Sequence, residues 1–234
     1  MGQVLNSFGN HRRALVIGSS GGIGSAIAGV LRQDASCDKL ETLSRVENGF
    51  DLLDERSIAD HAGRLGTAKF NMIICATGAL TIGGIGPEKS IRQISPDAML
   101  AQFAINAVGP ALILKHFTPL LAKEERAVFA FLSARVGSIG DNRLGGWISY
   151  RSSKAALNQI VHTAAIEISR SHPKAIVAAV HPGTVETALS EPYGQKRART
   201  DPKVAAQQIL ATFDGLRPEN TGGFFAYDGS AIAW

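Results

Sequence analysis

Four glycines in seven residues, Gly18-Ser-Ser-Gly21-Gly22-Ile-Gly24, stand between a short apolar run, Ala14–Ile17, and a stretch of helical spacing from Gly22 to Gln33. A chain carrying this feature has few folds open to it. Gly18 permits a tight turn out of a strand, Gly22 keeps side chains away from whatever approaches the turn, and Gly24 lets the following helix press on the sheet. The opening turn of that helix then presents unpaired N–H groups and a partial positive charge to an anion, with Ser20 and Ile23 beside it.

The rest of the chain repeats the alternation. Leu40–Ser44, Asn71–Ala76, Ala127–Ser133, Ala175–Val180 and Gly223–Tyr227 read as strands, most of them continuously apolar. Asp54–Leu65, a helix opened by Ser95-Pro96-Asp97 and running towards Leu121, Ile148–Ser171 and Pro202–Phe213 read as helices. Apolar strands alternating with helices predict a parallel sheet covered on both faces, an α/β doubly wound Rossmann-type fold. No linker or internal repeat divides residues 1–234, so a single domain is expected, with ligands outside the carboxyl ends of its strands.

Composition narrows the function. At 45% hydrophobic and 19% charged the chain can bury a core. Cys37 and Cys75 are too few for a disulfide framework or a zinc site, so no metal and a reducing, cytoplasmic setting are expected. Two uncharged windows, Ala14–Leu31 and Phe70–Pro87, are too rich in Gly, Ser and Pro to be read as membrane spans. The net charge is +4, and the basic groups His11–Arg13 and Lys196–Arg199 lack interleaved aromatics, which argues against nucleic acid. Gly18-Ser-Ser20-Gly-Gly22 also fits a hydrolase nucleophile elbow, but that elbow follows several strands and gives Gly24 no role.

A strand–glycine turn–helix at the amino end points to a dinucleotide. An acid about 20 residues on would hold the ribose 2′-hydroxyl of NAD. Here that place is taken by Ser44 and Arg45, a small hydroxyl and a guanidinium suited to a 2′-phosphate, so NADP(H) is expected over NAD(H). Glu41 and Glu47 are the rival contacts to the ribose. Further on, Tyr150-Arg-Ser-Ser-Lys154 sets a phenol and an ammonium one turn apart on one helix face. A cation at that spacing, together with the positive ring of an oxidised nicotinamide cofactor, is expected to bring the phenol, ordinarily titrating near 10, towards working range. Pro110 lacks an N–H, so the carbonyl of Asn106, four residues back, is expected to lose its helical partner.

The glycine turn, Asn106, Tyr150-x-x-x-Lys154 and His181-Pro-Gly183-Thr-Val-Glu-Thr187 together resemble the short-chain dehydrogenase/reductases over nearly the whole chain. Asn106–Pro110, Gly137–Asn142, Tyr150–Asn158 and Tyr227–Trp234 resemble the branch of sniffer-type carbonyl reductases and the bacterial C-factor. The resemblance implies a seven-stranded sheet in the order 3-2-1-4-5-6-7. It implies reduction of a small carbonyl compound, with Tyr150 as acid/base, Lys154 bonding the nicotinamide ribose and Asn106 in a proton relay. It places Asp51 and Leu52 at the adenine, Ala76, Thr77 and Gly78 at the adenine ribose, Pro182, Gly183 and Val185 under the nicotinamide, and Thr187 near the carboxamide or the pyrophosphate. It implies a homo-oligomer, most simply a dimer, formed by Asp97–Leu121 and Ile148–Ser171. A substrate lid is expected over Ala188–Thr200, with His181 as a strand-end residue.

The serine such proteins aim at the substrate oxygen falls here on Ala134; Ser133, the nearer choice, and Ser138 are the available hydroxyls. The missing serine, with the C-factor likeness, supports an alternative: a dinucleotide-binding signalling or sensor protein with little turnover.

Overall fold

The structure is a computed structural model, and it describes residues 5–9, 11–193 and 198–234. Six parallel strands form one sheet in the order β2-β1-β3-β4-β5-β6. They are β1 (Arg12–Ile17), β2 (Cys37–Leu43), β3 (Met72–Cys75), β4 (Ala127–Leu132), β5 (Ala175–His181) and β6 (Phe224–Ala226). Every strand read from the sequence is present. Central strands β3 and β4 are buried along their whole length, as parallel strands covered on both faces must be.

Successive residues of a strand point to opposite faces, and the core divides accordingly. Leu15, Ile17, Ile73, Phe129 and Phe131 pack with Ile58, Phe117, Leu157 and Val161 on one face. Ala14, Val16, Ile74, Val128 and Val180 pack with Ile27, Leu31, Ile209 and Phe213 on the other. The helices are α1 (Gly22–Arg32), the short α2 (Arg45–Asn48), α3 (Glu55–Arg64), α4 (Pro96–Phe103), α5 (Gly109–Phe117), α6 (Ile148–Ser171) and α7 (Pro202–Gly215).

The seventh strand of the expected order, which would lie at the sheet edge beyond β2, is not formed among the described residues, and a loop at Asp51 stands in the chain between β2 and β3. Asp51 Oδ1 accepts from Leu53 N–H at 2.9 Å, and Asp51 N–H donates to Ser57 Oγ at 3.0 Å. Local side-chain bonds of this kind satisfy the backbone in place of a ladder. Ser44, expected at the end of the second strand, is instead the N-cap of α2 and accepts from Glu47 N–H at 3.1 Å.

Ser95 caps α4 with Pro96 behind it, as the sequence predicts. Between α4 and α5 the helix widens into a π turn over Ala104–Val108, where Gly109 N–H reaches back to the Ala104 carbonyl. Such turns are frequent at functional sites. The span Pro96–Leu120 is the one helix among the described residues that is long and apolar enough to cross a membrane by length and composition. The windows Ala14–Leu31 and Phe70–Pro87 are strand, turn and helix, and strand and loop.

Candidate active site

The carboxyl ends of β1, β3, β4 and β5 lie side by side, and the loops leaving them carry the predicted residues. Gly18 turns the chain with φ +88°, and a Cβ there would stand 2.9 Å from the Ala76 carbonyl oxygen. A Cβ on Gly24 would fall 2.2 Å from the Gly18 carbonyl oxygen, so the helix has no room for any side chain at that point. A Cβ on Gly22 would meet Thr187 Cγ2 at 2.5 Å, which puts Thr187 directly over the glycine turn. Helix α1 has no side-chain cap and no acid in its first turn. Its leading N–H groups, with Ser20 exposed and Ile23 half-buried beside them, are open to an anion.

Beside this turn, Arg45 is exposed, and its guanidinium has no hydrogen bond or ion pair among the described residues. Glu47 is taken up by the glycine turn itself: Ser19 Oγ donates to its Oε2 at 2.9 Å. Leu52 lies against Gly109, where a Cβ would meet its Cγ at 2.5 Å. Thr77 Oγ1 and Cys75 Sγ share a hydrogen bond of 3.1 Å.

Tyr150 and Lys154 are both buried on one face of α6, at 7% and 3% exposed. The phenol hydroxyl has no hydrogen-bond partner among the described residues. Lys154 Nζ donates to the Leu132 carbonyl at 3.0 Å and lies 3.0 Å from where a Cβ on Gly78 would be. Burial pushes Tyr150 up to about 12 and Lys154 down to about 8. The neighbouring cation by itself therefore gives no lowering of the phenol. Shared facing is not contact: the ammonium is directed to a strand-end carbonyl, and desolvation governs both groups.

Asn106, fully buried in the π turn, locks the loop after β3. Its Oδ1 accepts from Ala79 N–H at 2.9 Å; its Nδ2 donates to Ala79 O at 2.9 Å, Gln102 Oε1 at 2.7 Å and Ser153 Oγ at 3.2 Å. Ser153 Oγ in turn donates to the Tyr150 carbonyl at 2.8 Å. Asn106 thus couples to the tyrosine's own helix turn.

Ser133 is brought to the same edge but is turned into α6, where its hydroxyl donates to Asn158 Oδ1 at 2.6 Å. Ser138 Oγ accepts from Asp141 N–H at 3.0 Å. His181 ends β5; burial, with Arg135 adding to it and Asp228 opposing, pushes it down to about 4, and its Nδ1 is buried without a partner. Pro182 and Gly183 follow, Gly183 at φ +82° against the Tyr227 ring. Val185 is buried and pairs with Thr200 in a parallel bridge. In the expected lid, Tyr193 OH bonds Thr81 Oγ1 at 2.7 Å, while residues 194–197, with Lys196 and Arg197, lie outside the described residues.

A model of the short chain dehydrogenase family matches residues 50–198. The chain belongs to that family of nicotinamide-dependent oxidoreductases. It is similar to 1-hydroxy-2-glutathionyl-2-methyl-3-butene dehydrogenase of Rhodococcus sp. (strain AD45), 29% identical over 232 residues, 94% of this chain and 98% of the relative. It is also similar to C-signal of Myxococcus xanthus, 34% identical over 137 residues, 58% of this chain and 78% of that one. Among solved structures, the carbonyl reductase Sniffer of D. melanogaster superposes with a TM-score of 0.80 at 23% identity, covering 96% of this chain and 100% of its own. The NADPH-bound carbonyl reductase from chicken fatty liver gives 0.83 at 23% identity, covering 100% and 99%.

Within this short-chain dehydrogenase several residues at the site had no mark in the sequence. Gln102, Ser153 and Asn158 act through partners far along the chain. Trp147 had a partial signal: Gly145 and Gly146 just before it announce left-handed backbone, and Trp147 continues it at φ 56°.

Proposed function

We propose that this short-chain dehydrogenase is an NADP(H)-dependent reductase of small carbonyl compounds, with Tyr150 as the proton donor. The observation that carries the reading is the unpartnered hydroxyl of a buried Tyr150 at the sheet's carboxyl edge, one helical turn from the buried Lys154 ammonium. The residues present fit a dinucleotide. The uncapped start of α1 and the bare Gly18–Gly24 turn take the pyrophosphate; Arg45, with Ser44 beside it, takes a 2′-phosphate. Asp51 and Leu52 serve the adenine, and Ala76, Thr77 and Gly78 its ribose. Lys154 and Asn106 serve the nicotinamide ribose side, with Pro182, Gly183 and Val185 at the ring and Thr187, which lies over the glycine turn, at the pyrophosphate. When bound, the nicotinamide supplies hydride to the carbonyl carbon or accepts it in reverse.

Tyr150 Oη delivers its proton to the carbonyl oxygen as that oxygen gains charge. A phenol pushed up to about 12 keeps its proton at neutral pH, the form that a donor needs. Lys154 carries its charge below about pH 8 and holds the helix to β4 through the Leu132 carbonyl. The segment Ala188–Thr200 covers the substrate, and a dimer forms through the long helices, on which Leu100, Val108 and Ile166 are exposed. Free Cys37 and Cys75 suit a reducing cytoplasm.

A second reading, a dinucleotide-binding signal protein with little turnover, is favoured by Ala134 and by Ser133 having its proton on Asn158. The two separate on one set of measurements. Tyr150→Phe is expected to lower carbonyl reduction about 10³-fold while NADPH affinity stays within about threefold. Arg45→Ala is expected to weaken NADPH binding about tenfold and leave NADH binding alone. NADPH bound tightly by a wild-type protein that reduces no aldehyde or ketone would favour the second reading, and a preference for NADH would remove Arg45 from its role.

A further inference from the structure

Helix α6 carries both Tyr150 and Lys154, yet its amino end has no side-chain cap of its own. Its N-cap residue is Trp147, the one non-glycine among the described residues with positive φ, a backbone state that a bulky side chain holds only when its surroundings impose it. What imposes it comes from the loop after β3. The Glu88 carbonyl accepts from Trp147 N–H at 2.5 Å. The Glu88 carboxylate takes the next free donors of the turn: Oε2 accepts from Ser149 N–H at 3.2 Å, and Oε1 accepts from Ser149 Oγ. Glu88 is 6% exposed and Ser149 2%, so the contact is sealed from solvent. A carboxylate is also the charge that a helix amino end favours.

From this geometry, and resting on the reading of Tyr150 as proton donor, we propose that Glu88 is a positioning residue that fixes Tyr150 by capping its helix from a separate loop. Ser149 precedes the tyrosine directly, so the carboxylate grips the turn from which the phenol projects. The same loop is held from the other side by Asn106 at Ala79, and Gln102 Nε2 donates to the Leu80 carbonyl at 2.9 Å. A cavity of about 120 Å³ lies between, lined by Glu88, Ser149, Gln102, Ala98 and Asp97 among others. Without the carboxylate, the first turn of α6 has space beside it in which to shift, and a displacement of about 1 Å at a reacting group lowers rates about 10²-fold.

The test uses the full-length protein with fluorotyrosine at its three tyrosines, the Tyr150 resonance being assigned by its loss in Tyr150→Phe. Glu88→Ala is expected to shift or broaden that resonance. It is expected to lower kcat about thirtyfold with the KM for a small aldehyde and the Kd for NADPH within about threefold. Glu88→Gln, whose amide can accept from Ser149 N–H and donate to its Oγ, is expected to recover the resonance and bring kcat within about threefold of wild type. Ser149→Ala, a milder change should Glu88→Ala not fold, is expected to move the resonance in the same direction by less. The idea is overturned by a Tyr150 resonance that Glu88→Ala, or in its place Ser149→Ala, leaves unmoved. It is overturned equally if Glu88→Gln loses as much as Glu88→Ala. A wild-type protein without turnover would remove the reductase reading, and the resonance would still report whether Glu88 sets the ring.

Discussion

At the β1 end of the sheet's carboxyl edge the chain strips side chains away; at the β4–β5 end it crowds them in. The first end is Gly18, Gly22 and Gly24, where an added Cβ meets Ala76, Thr187 or Gly18 at 2.9 Å or less. Its contribution is an uncapped helix start and bare backbone. The second end is Tyr150, Lys154, Asn106 and Ser133, a set of polar side chains held out of water, with the half-buried His181 beside them. The large pKa shifts follow this division: Tyr150 up, Lys154 and His181 down, each with burial as the first cause. One end is vulnerable to volume and the other to charge, so they should break under different challenges.

The largest effect is expected from volume at the glycine end. Gly24→Ala sets a Cβ against the Gly18 carbonyl at 2.2 Å, where both atoms belong to a turn that cannot move without leaving the sheet. A loss of about 3 kcal/mol in unfolding free energy is expected, with NADPH affinity falling alongside. Gly29, on the same helix, has nothing within 4 Å of its Cβ position. Gly29→Ala should therefore stabilise, by about 0.5–1 kcal/mol. Denaturation of both variants checks the contrast; equal effects would mean that helix propensity rather than close approach governs the turn.

Charge at the other end gives the next effect. The unfolded chain takes up a proton on His181 near its ordinary 6.5, the folded chain only near 4. Between those values the unfolded state binds more protons, so stability falls as pH drops through the window. The contribution is about 2 kcal/mol between pH 6.5 and 4.5. Comparing unfolding of wild type and His181→Asn across that range should show a shallower fall in the variant; parallel curves would mean that His181 titrates normally in the fold.

The same division explains what the sequence made legible. Continuous apolar runs are a local signal, and most of the six strands were read from them. The glycine turn was legible because its requirement, no side chain, is written in the residue type itself. The side-chain end was legible only as residue types. That Lys154 bonds the Leu132 carbonyl depends on how α6 lies against β4, which no spacing encodes. Glu88 left no mark because its partner Ser149 is in another element altogether. The seventh strand erred in the opposite direction: it came from the family resemblance and from no apolar run of this chain, and the stretch between β2 and β3 holds a loop closed on Asp51 instead.

Ser133 and Ala134 test the side-chain end at finest scale, since neighbouring residues leaving a strand face opposite ways. With its proton on Asn158 Oδ1 at 2.6 Å, Ser133 serves the joint between β4 and α6. Ser133→Ala is then expected to remove about 1 kcal/mol of stability, through the amide left unsatisfied, and to leave kcat within about threefold. Ala134→Ser places a hydroxyl where the family resemblance leads one to expect it and should raise kcat about tenfold, a modest share of what an oxyanion donor contributes elsewhere. If Ser133→Ala instead lowers kcat a hundredfold while Ala134→Ser does nothing, then Ser133 swings to the substrate during turnover. In that case the bond to Asn158 is its resting position, and the crowded end of the sheet moves where the bare end cannot.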